Sequence, residues 1–455
     1  MKNKFVLIIL SFFSIFIFTG CCDDDEIIPP VKSESEKTYT LMVLGCGGGN
    51  LDAEFAKDVP LLAKSVGENV NVVCQYTSST NLDNEIEGYK PLGTPSTTYR
   101  FKVTPDLDIE NYEDFRYKSA SEVPLYIDKT VTDFINYAVE TSPADEYILV
   151  LYNHGNGFDV ISGAMIDYLL TTRQNAHTRG VLADDNFRGT ILTEKVLSKA
   201  IANSKAPHMK AIYFYACNQG MIECYSELYQ QCDYIIGTAH IMSSFGEILP
   251  TFVRHLGDKQ ANDFEDKVLI FMKDIEPWWS EEHIGSENGT IISYNDDLSC
   301  IRTSQIERLN DLLKRICDRL CSEGFYTEHK EAIDNIHANY IYNYYIDLPS
   351  FDLINYCHLL AEKTNDRQLI MMDEEMNNLI QQLFVSRISI IKMEETPKSI
   401  SEFSLGITIY NKSNWHNLSL GSVNYYTSSV FAQQTSWHRW FEKIEGNVSG
   451  WAASN

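Results

Sequence analysis

Two apolar runs, YILVLY at 147–152 and AIYFYA at 211–216, break off abruptly, the first at Asn153-His154-Gly155 and the second at Cys217-Asn218-Gln219-Gly220. Each is too continuous for a half-exposed strand and too short for a buried helix. Both therefore read as strands covered on two faces, as in a parallel sheet. Between them lie a polar loop (171–190, TTRQNAHTRGVLADDNFRGT) and an amphipathic helix at 193–204. That is enough chain for a crossover that lays the two strands side by side.

The alternation extends toward the N-terminus. YTLMVLGCGGGNLD (39–52) is a strand running into a glycine cluster, FAKDVPLLAKSV is helical, and NVNVVCQYT (69–77) is a second strand. KTVTDFINYAVETSP puts Val131, Phe134, Ile135 and Ala138 on one helix face, and Pro143 closes it. The glycine cluster has neither GxxxxGK[ST] nor GxGxxG spacing, so it reads as a tight turn and not a phosphate loop. Strands alternating with helices predict an α/β fold with a mostly parallel sheet, and functional groups gather at the carboxyl ends of such strands.

Two of those ends carry reactive side chains, His154 and Cys217. A thiol near the start of a helix and close to an imidazole ionises near neutral pH, because the positive helix end and His⁺ both favour thiolate. The residue types fit nucleophilic acyl transfer, with Cys217 attacking a carbonyl and His154 protonating the leaving amine. The backbone N–H groups of Gly155 and Cys217 are the candidate oxyanion donors. Taken singly, a buried Cys or a strand-end His more often has a structural explanation. The shared topology reverses that ordering.

The first residues bear on location. MKNKFVLIILSFFSIFIFTGC has two lysines, an apolar stretch from Phe5 to Phe18, and small residues before Cys21. Residues 1–20 read as a secretory signal resembling a bacterial lipoprotein box, with Cys21 as the lipidation site. Residues 21–38 are acidic, contain two prolines and lack periodicity, as expected of a flexible tether. The expected location is the bacterial cell envelope, lipid-anchored to the outer membrane and exposed at the surface. A net charge of −26 with no basic footprint excludes nucleic acid as a natural partner. Apart from Cys21 and Cys22, nine of the 11 cysteines remain, an odd number with no CxxC pair, which is not a disulfide framework.

Beyond about Pro250 the texture changes. Ile306, Leu309, Leu313, Ile316 and Leu320 recur at helical spacing, and Cys317 and Cys321 share an i, i+4 face that reads as packing. LFVSRISIIKM (383–393) and FSLGITIYN (403–411) read as strands. The expected organisation is a catalytic domain over 39–255 and a supporting α/β domain over 256–455. Trp278, Trp279, Trp437 and Trp440 read as core more readily than as a glycan-binding face.

In these motifs the chain resembles the clostripain-like cysteine peptidases, which share a fold with caspases, gingipains and separase. The resemblance rests on SPADEYILVLYNHGNGFD around His154, RGVLADDNFRGTILTEKVLSKAI (179–201), YFYACNQGMIECYSELYQQCDYIIGTAH around Cys217, GITIYN (406–411) and SSVFAQQTSWHRWF (428–441). It implies a caspase-like sheet flanked by helices and a Cys-His dyad endopeptidase acting on proteins or peptides. It also implies self-cleavage in the loop between the dyad strands, where this chain has Arg173 and Arg179 as candidate positions. The dyad requires no cofactor; the calcium dependence known in the family keeps calcium as a candidate. DLDIENYED (106–114) alternates acids but lacks the glycine and terminal glutamate of an EF-hand, and no HExxH motif is present.

The sequence departs from the family at one position. Members that cleave after arginine or lysine carry an acid two residues before the nucleophile, where this chain has Tyr215. A second pocket acid falls near IMSSFGE (241–247), giving Phe245 or Glu247 as the pocket residue. An unpaired guanidinium in a closed pocket is costly, so a neutral or aromatic P1 is expected. The same departure motivates the alternative of a catalytically silent surface lipoprotein that binds peptide or glycan with this fold. Asp184 and Asp185 between Gly180 and Gly189 suggest a hairpin in the crossover. Cys224 and Cys232 are expected in the core, on the helix after the nucleophile.

Overall fold

The computed structural model describes residues 37–46, 51–77, 93, 97–108, 117–118, 123–158, 183–184, 190–239, 242, 247–281, 284–287, 290–293, 296–339, 350–390, 406–410 and 419–445. Residues 36–455 form one compact unit. The chain order begins β1 (Tyr39–Cys46), α1 (Leu51–Ser65), β2 (Val70–Thr77), β3 (Thr98–Val103), β4 (Tyr117–Lys118), α2 (Asp128–Thr141) and β5 (Glu146–Tyr152). The hairpin β6 (Ala183–Asp184) and β7 (Thr190–Ile191) is followed by α3 (Glu194–Ala202), β8 (Met209–Tyr215), α4 (Ile222–Leu228), β9 (Cys232–Gly237), α5 (Ile248–Leu256) and α6 (Phe264–Glu281). Then come β10 (Ile284–Glu287), β11 (Thr290–Ser293), β12 (Asp296–Arg302), α7 (Ile306–Leu320), β13 (Ser350–Asp352), β14 (Phe384–Ile390) and β15 (Thr408–Tyr410), with further helices at 353–364, 367–383 and 420–445.

Nine strands make the main sheet in the order β14-β12-β9-β8-β5-β1-β2-β3-β4. The middle five are parallel, and antiparallel strands close both edges. The crossover through α3 sets β8 directly beside β5, as the spacing requires. Thr193 caps α3, accepting the Val196 N–H at 3.2 Å, so the helix starts where an orphan donor finds a partner. The predicted hairpin at Asp184 is β6 paired with β7; Asp185 lies outside the described residues.

Side chains of β8 alternate between two cores. Ile212 and Phe214 face a cluster with α2, α3, α4 and α7, while Ala211, Tyr213 and Tyr215 face one with α1, α5 and α6. Full burial on both faces explains the unbroken apolar runs. Val131, Phe134, Ile135 and Ala138 are buried on α2, as are the five predicted positions of α7.

One expectation changes. Cys224 is buried on α4, but Cys232 opens strand β9. Its core placement holds, while the helix is too short to reach it. β12 pairs with β9 and carries β14 outside it, so the C-terminal half contributes two strands to the same sheet. An apolar β9 left at an edge would expose unpaired backbone, and β12 covers it. Trp437 and Trp440 are fully buried, with Trp440 Nε1 donating to Tyr356 Oη at 2.8 Å. Among the described residues no helix is long and apolar enough to cross a membrane.

Candidate active site

The last residue pair between β5 and β8 is Tyr152 with Tyr215. His154 and Cys217 each lie two residues beyond it, so the register of the sheet delivers imidazole and thiol to the same edge. The Asn153 N–H continues the ladder to the Tyr215 carbonyl at 3.3 Å. His154 is exposed and Cys217 half-buried. The Met242 N–H donates to Cys217 Sγ at 3.3 Å, and the same Sγ lies 4.0 Å from the Met242 carbonyl oxygen.

The two strand-end loops interlock. Gly155 is packed so closely on the nucleophile turn that a β-carbon there would overlap the Cys217 carbonyl oxygen and lie 2.8 Å from Gln219 Nε2. Asn218 adopts a left-handed φ of 58°, which an Asn tolerates better than most residues, and its Nδ2 donates to the Gly155 carbonyl at 3.4 Å. Gly220 N–H donates to Thr238 O at 2.7 Å, and its carbonyl accepts the Thr408 N–H at 2.8 Å. Strands from both halves of the chain thus hold the turn.

The helix after the turn begins at Ile222, five residues past the thiol. The expected help from a helix N-terminus is therefore weak, because that field fades within the first turn. α4 is buried throughout, and its acids are bonded from the C-terminal segment. Glu223 Oε1 accepts the Tyr410 N–H at 3.0 Å, and Glu227 Oε1 accepts the Val430 N–H at 2.8 Å.

Tyr215, two residues before Cys217, is 4% exposed and stacks on Tyr152 with ring centroids 4.8 Å apart. Glu247 stands at the N-cap of α5, partly buried. Phe245, Arg173, Arg179 and Cys21 lie outside the described residues, as does 109–114 of the acidic stretch considered for calcium.

The sequence reading did not single out Asp58, on the buried face of α1. It is 2% exposed, and its Oδ2 accepts the Tyr152 hydroxyl at 2.9 Å. Burial pushes its carboxyl up to about 7, against the lowering effect of the Tyr152 hydrogen bond; Glu54 and Glu247 add to the rise and Lys57 opposes it. The available signal was an acid inside the apolar stripe formed by Phe55, Val59 and Leu62. Met242 and Asp297 gave no comparable signal. Asp297 Oδ1 accepts the Thr238 hydroxyl at 2.7 Å and Oδ2 the Ala239 N–H at 3.0 Å, at the head of the segment leading to Met242.

The model of the clostripain family matches residues 106–445. Among solved structures, the chain is similar to a secreted C11 cysteine protease from Bacteroides thetaiotaomicron at 15% identity, with a TM-score of 0.58 over 88% of this chain and 99% of that one. A secreted C11 cysteine protease of the same organism in complex with an irreversible peptide inhibitor aligns at 14% identity and a TM-score of 0.59, with the same coverage. An inactive zymogen C11 protease from Parabacteroides distasonis aligns at 14% identity and a TM-score of 0.56, again over 88% and 99%. At these identities the likeness is one of fold. No curated protein matches the chain. Because the family model spans β5, β8 and the C-terminal segment that braces the turn after Cys217, the chain belongs to the clostripain family.

Proposed function

We propose that this protein is a cysteine endopeptidase in which Cys217 is the nucleophile and His154 the proton donor to the leaving amine. The observation that carries the reading is the shared register of β5 and β8, which ends two residues short of both side chains. The thiolate adds to the scissile carbonyl, and the oxyanion is held by the N–H groups of Cys217 and Gly155. Collapse of the tetrahedral intermediate expels the amine, which takes the proton from His154. Water, deprotonated by His154, then hydrolyses the thioester.

Tyr215 is proposed to line the P1 pocket, which favours neutral or aromatic P1 side chains. Cleavage of Arg, Lys, Leu and Tyr fluorogenic peptides, with and without a calcium chelator, tests this. Leu or Tyr should be preferred, and selective arginine cleavage contradicts the pocket assignment. Cys217→Ala and His154→Ala should each lower kcat/KM by roughly a thousandfold or more. A silent binding protein would show no cleavage in the parent either.

Lipid anchoring at Cys21 and self-cleavage at Arg173 or Arg179 belong to the same proposal, with the protein held at the cell envelope and acting on protein or peptide substrates. Intact mass of the purified protein and of Cys217→Ala reads both. A diacylated Cys21 terminus in both and a nicked loop in the parent alone are expected. An unmodified terminus or a nick that persists in Cys217→Ala contradicts the respective part.

A further inference from the structure

An ionisable residue the reaction does not use sits beneath the dyad strands. A continuous aromatic row crosses this face of the sheet: Phe55 stacks on Tyr76 at 4.8 Å and meets Tyr152 edge-on at 5.1 Å, and Tyr152 stacks on Tyr215 at 4.8 Å and 20°. Asp58 enters this row as its one carboxylate hydrogen-bonded to a ring hydroxyl among the described residues, holding Tyr152 at 2.9 Å. The Tyr215 hydroxyl is buried and makes no hydrogen bond among the described residues. Its phenol is pushed far above the ordinary value by burial first, then by the charges of Asp58, Tyr213 and Glu54. Asp58 and the Tyr215 hydroxyl therefore feel each other without being bonded.

We propose that Asp58 is a positioning residue of the P1 pocket: through Tyr152 it fixes the ring of Tyr215, and with it the set of P1 side chains the pocket admits. This rests on the assignment of Tyr215 to the pocket. Stacked neighbours on adjacent strands move together, so releasing the Tyr152 hydroxyl frees the ring that lies against it. A buried acid here is costly to keep, and such costs concentrate at functional sites. The groups that face Asp58 are Tyr152 from β5, Tyr215 from β8, Glu247 from the cap of α5, and Glu54 and Lys57 from its own helix. With the carboxyl pushed up to about 7, its bond to Tyr152 changes from charged to neutral acceptor across the neutral range.

The test uses the full chain and three peptidyl acyloxymethyl ketones that differ only in P1 (Tyr, Leu, Arg), with iodoacetamide as a probe without P1. Asp58→Leu should compress the ratio of fastest to slowest ketone by roughly fivefold, while alkylation of Cys217 by iodoacetamide changes less than about twofold. Asp58→Asn keeps an acceptor for Tyr152 and should retain the ratio. The parent ratio should shift by about threefold between about pH 6 and about pH 8, and the Asp58→Asn ratio should not. The proposal is overturned if Asp58→Leu keeps the parent ratio, or if iodoacetamide slows in step with the ketones. It is also overturned if Asp58→Asn keeps the pH shift, a result that decides the matter even where Asp58→Leu does not fold. A parent that discriminates among ketones yet hydrolyses no peptide ends the peptidase reading and leaves the ratios to decide Asp58. A parent that hydrolyses peptides but takes all three ketones equally ends the Asp58 proposal alone.

Discussion

A single methyl group added at Gly155 is the smallest change that should separate the dyad. The β-carbon would overlap the Cys217 carbonyl oxygen and lie 3.1 Å from Ala216 Cβ, so one of the two strand ends must yield. Gly155→Ala should lower kcat/KM by about a hundredfold, since displacements near 1 Å at a reacting group cost that much, and stability by about 1–3 kcal/mol. Peptide kinetics and a urea melt on the same sample check both, and an unchanged kcat/KM contradicts the packing described. At this scale the sequence was informative where chemistry is rare: His154 and Cys217 stood out because each ends an apolar run. Asp58 did not, because an acid on a helix is ordinarily solvated; its place within the apolar stripe was the one sequence hint, and the Tyr152 hydroxyl on β5 shows what it binds.

At the scale of elements, strands were legible where apolar residues run together and obscure where charged residues interrupt them. β1, β5 and β8 carry continuous apolar runs, and β2 keeps Val70, Val72, Val73 and Cys74 close together. β3 is buried yet interrupted by Arg100 and Lys102, β4 is two residues long, and neither was anticipated. The bracing of the pocket segment was equally hidden, since Asp297 on β12 is 59 residues from the Thr238 hydroxyl it accepts. Asp297→Ala leaves that hydroxyl and the Ala239 N–H without this acceptor in a buried setting, a loss of about 3 kcal/mol. Because Met242 follows on the same segment, alkylation of Cys217 should slow as well. A urea melt and an iodoacetamide rate test the two halves of this expectation, and a variant as stable as the parent contradicts it.

Asp58 and His337 are buried titratable groups whose effects on folding have opposite sign. Asp58 has a folded value raised to about 7, so its contribution is fully present below the ordinary carboxylate value of 3.8 and is lost as pH rises through about 7. His337, 5% exposed and 3.1 Å from the Tyr356 hydroxyl, is lowered by burial to about 4 from 6.5. Its contribution is present above 6.5 and lost as pH falls through about 4. Each spans about 3–4 kcal/mol, and between about pH 4 and about pH 6.5 they oppose one another. The parent should therefore show a flat stability profile there. Asp58→Asn should become more stable as pH rises through that window, and His337→Gln less stable. Urea melts across the window check the signs, and parallel profiles for the two variants contradict them. One sheet shared by both halves of the chain lets groups so distant in sequence act on one folding equilibrium.

If the register of β5 and β8 makes Cys217 a nucleophile activated by His154, the rate at which a peptidyl acyloxymethyl ketone labels Cys217, followed by intact mass and peptide mapping, shows it. A single adduct, located on Cys217, should form at least about a hundredfold faster than on free cysteine, with the acceleration lost in His154→Ala. Labelling of Cys217 no faster than free cysteine, or a rate indifferent to His154, would contradict it.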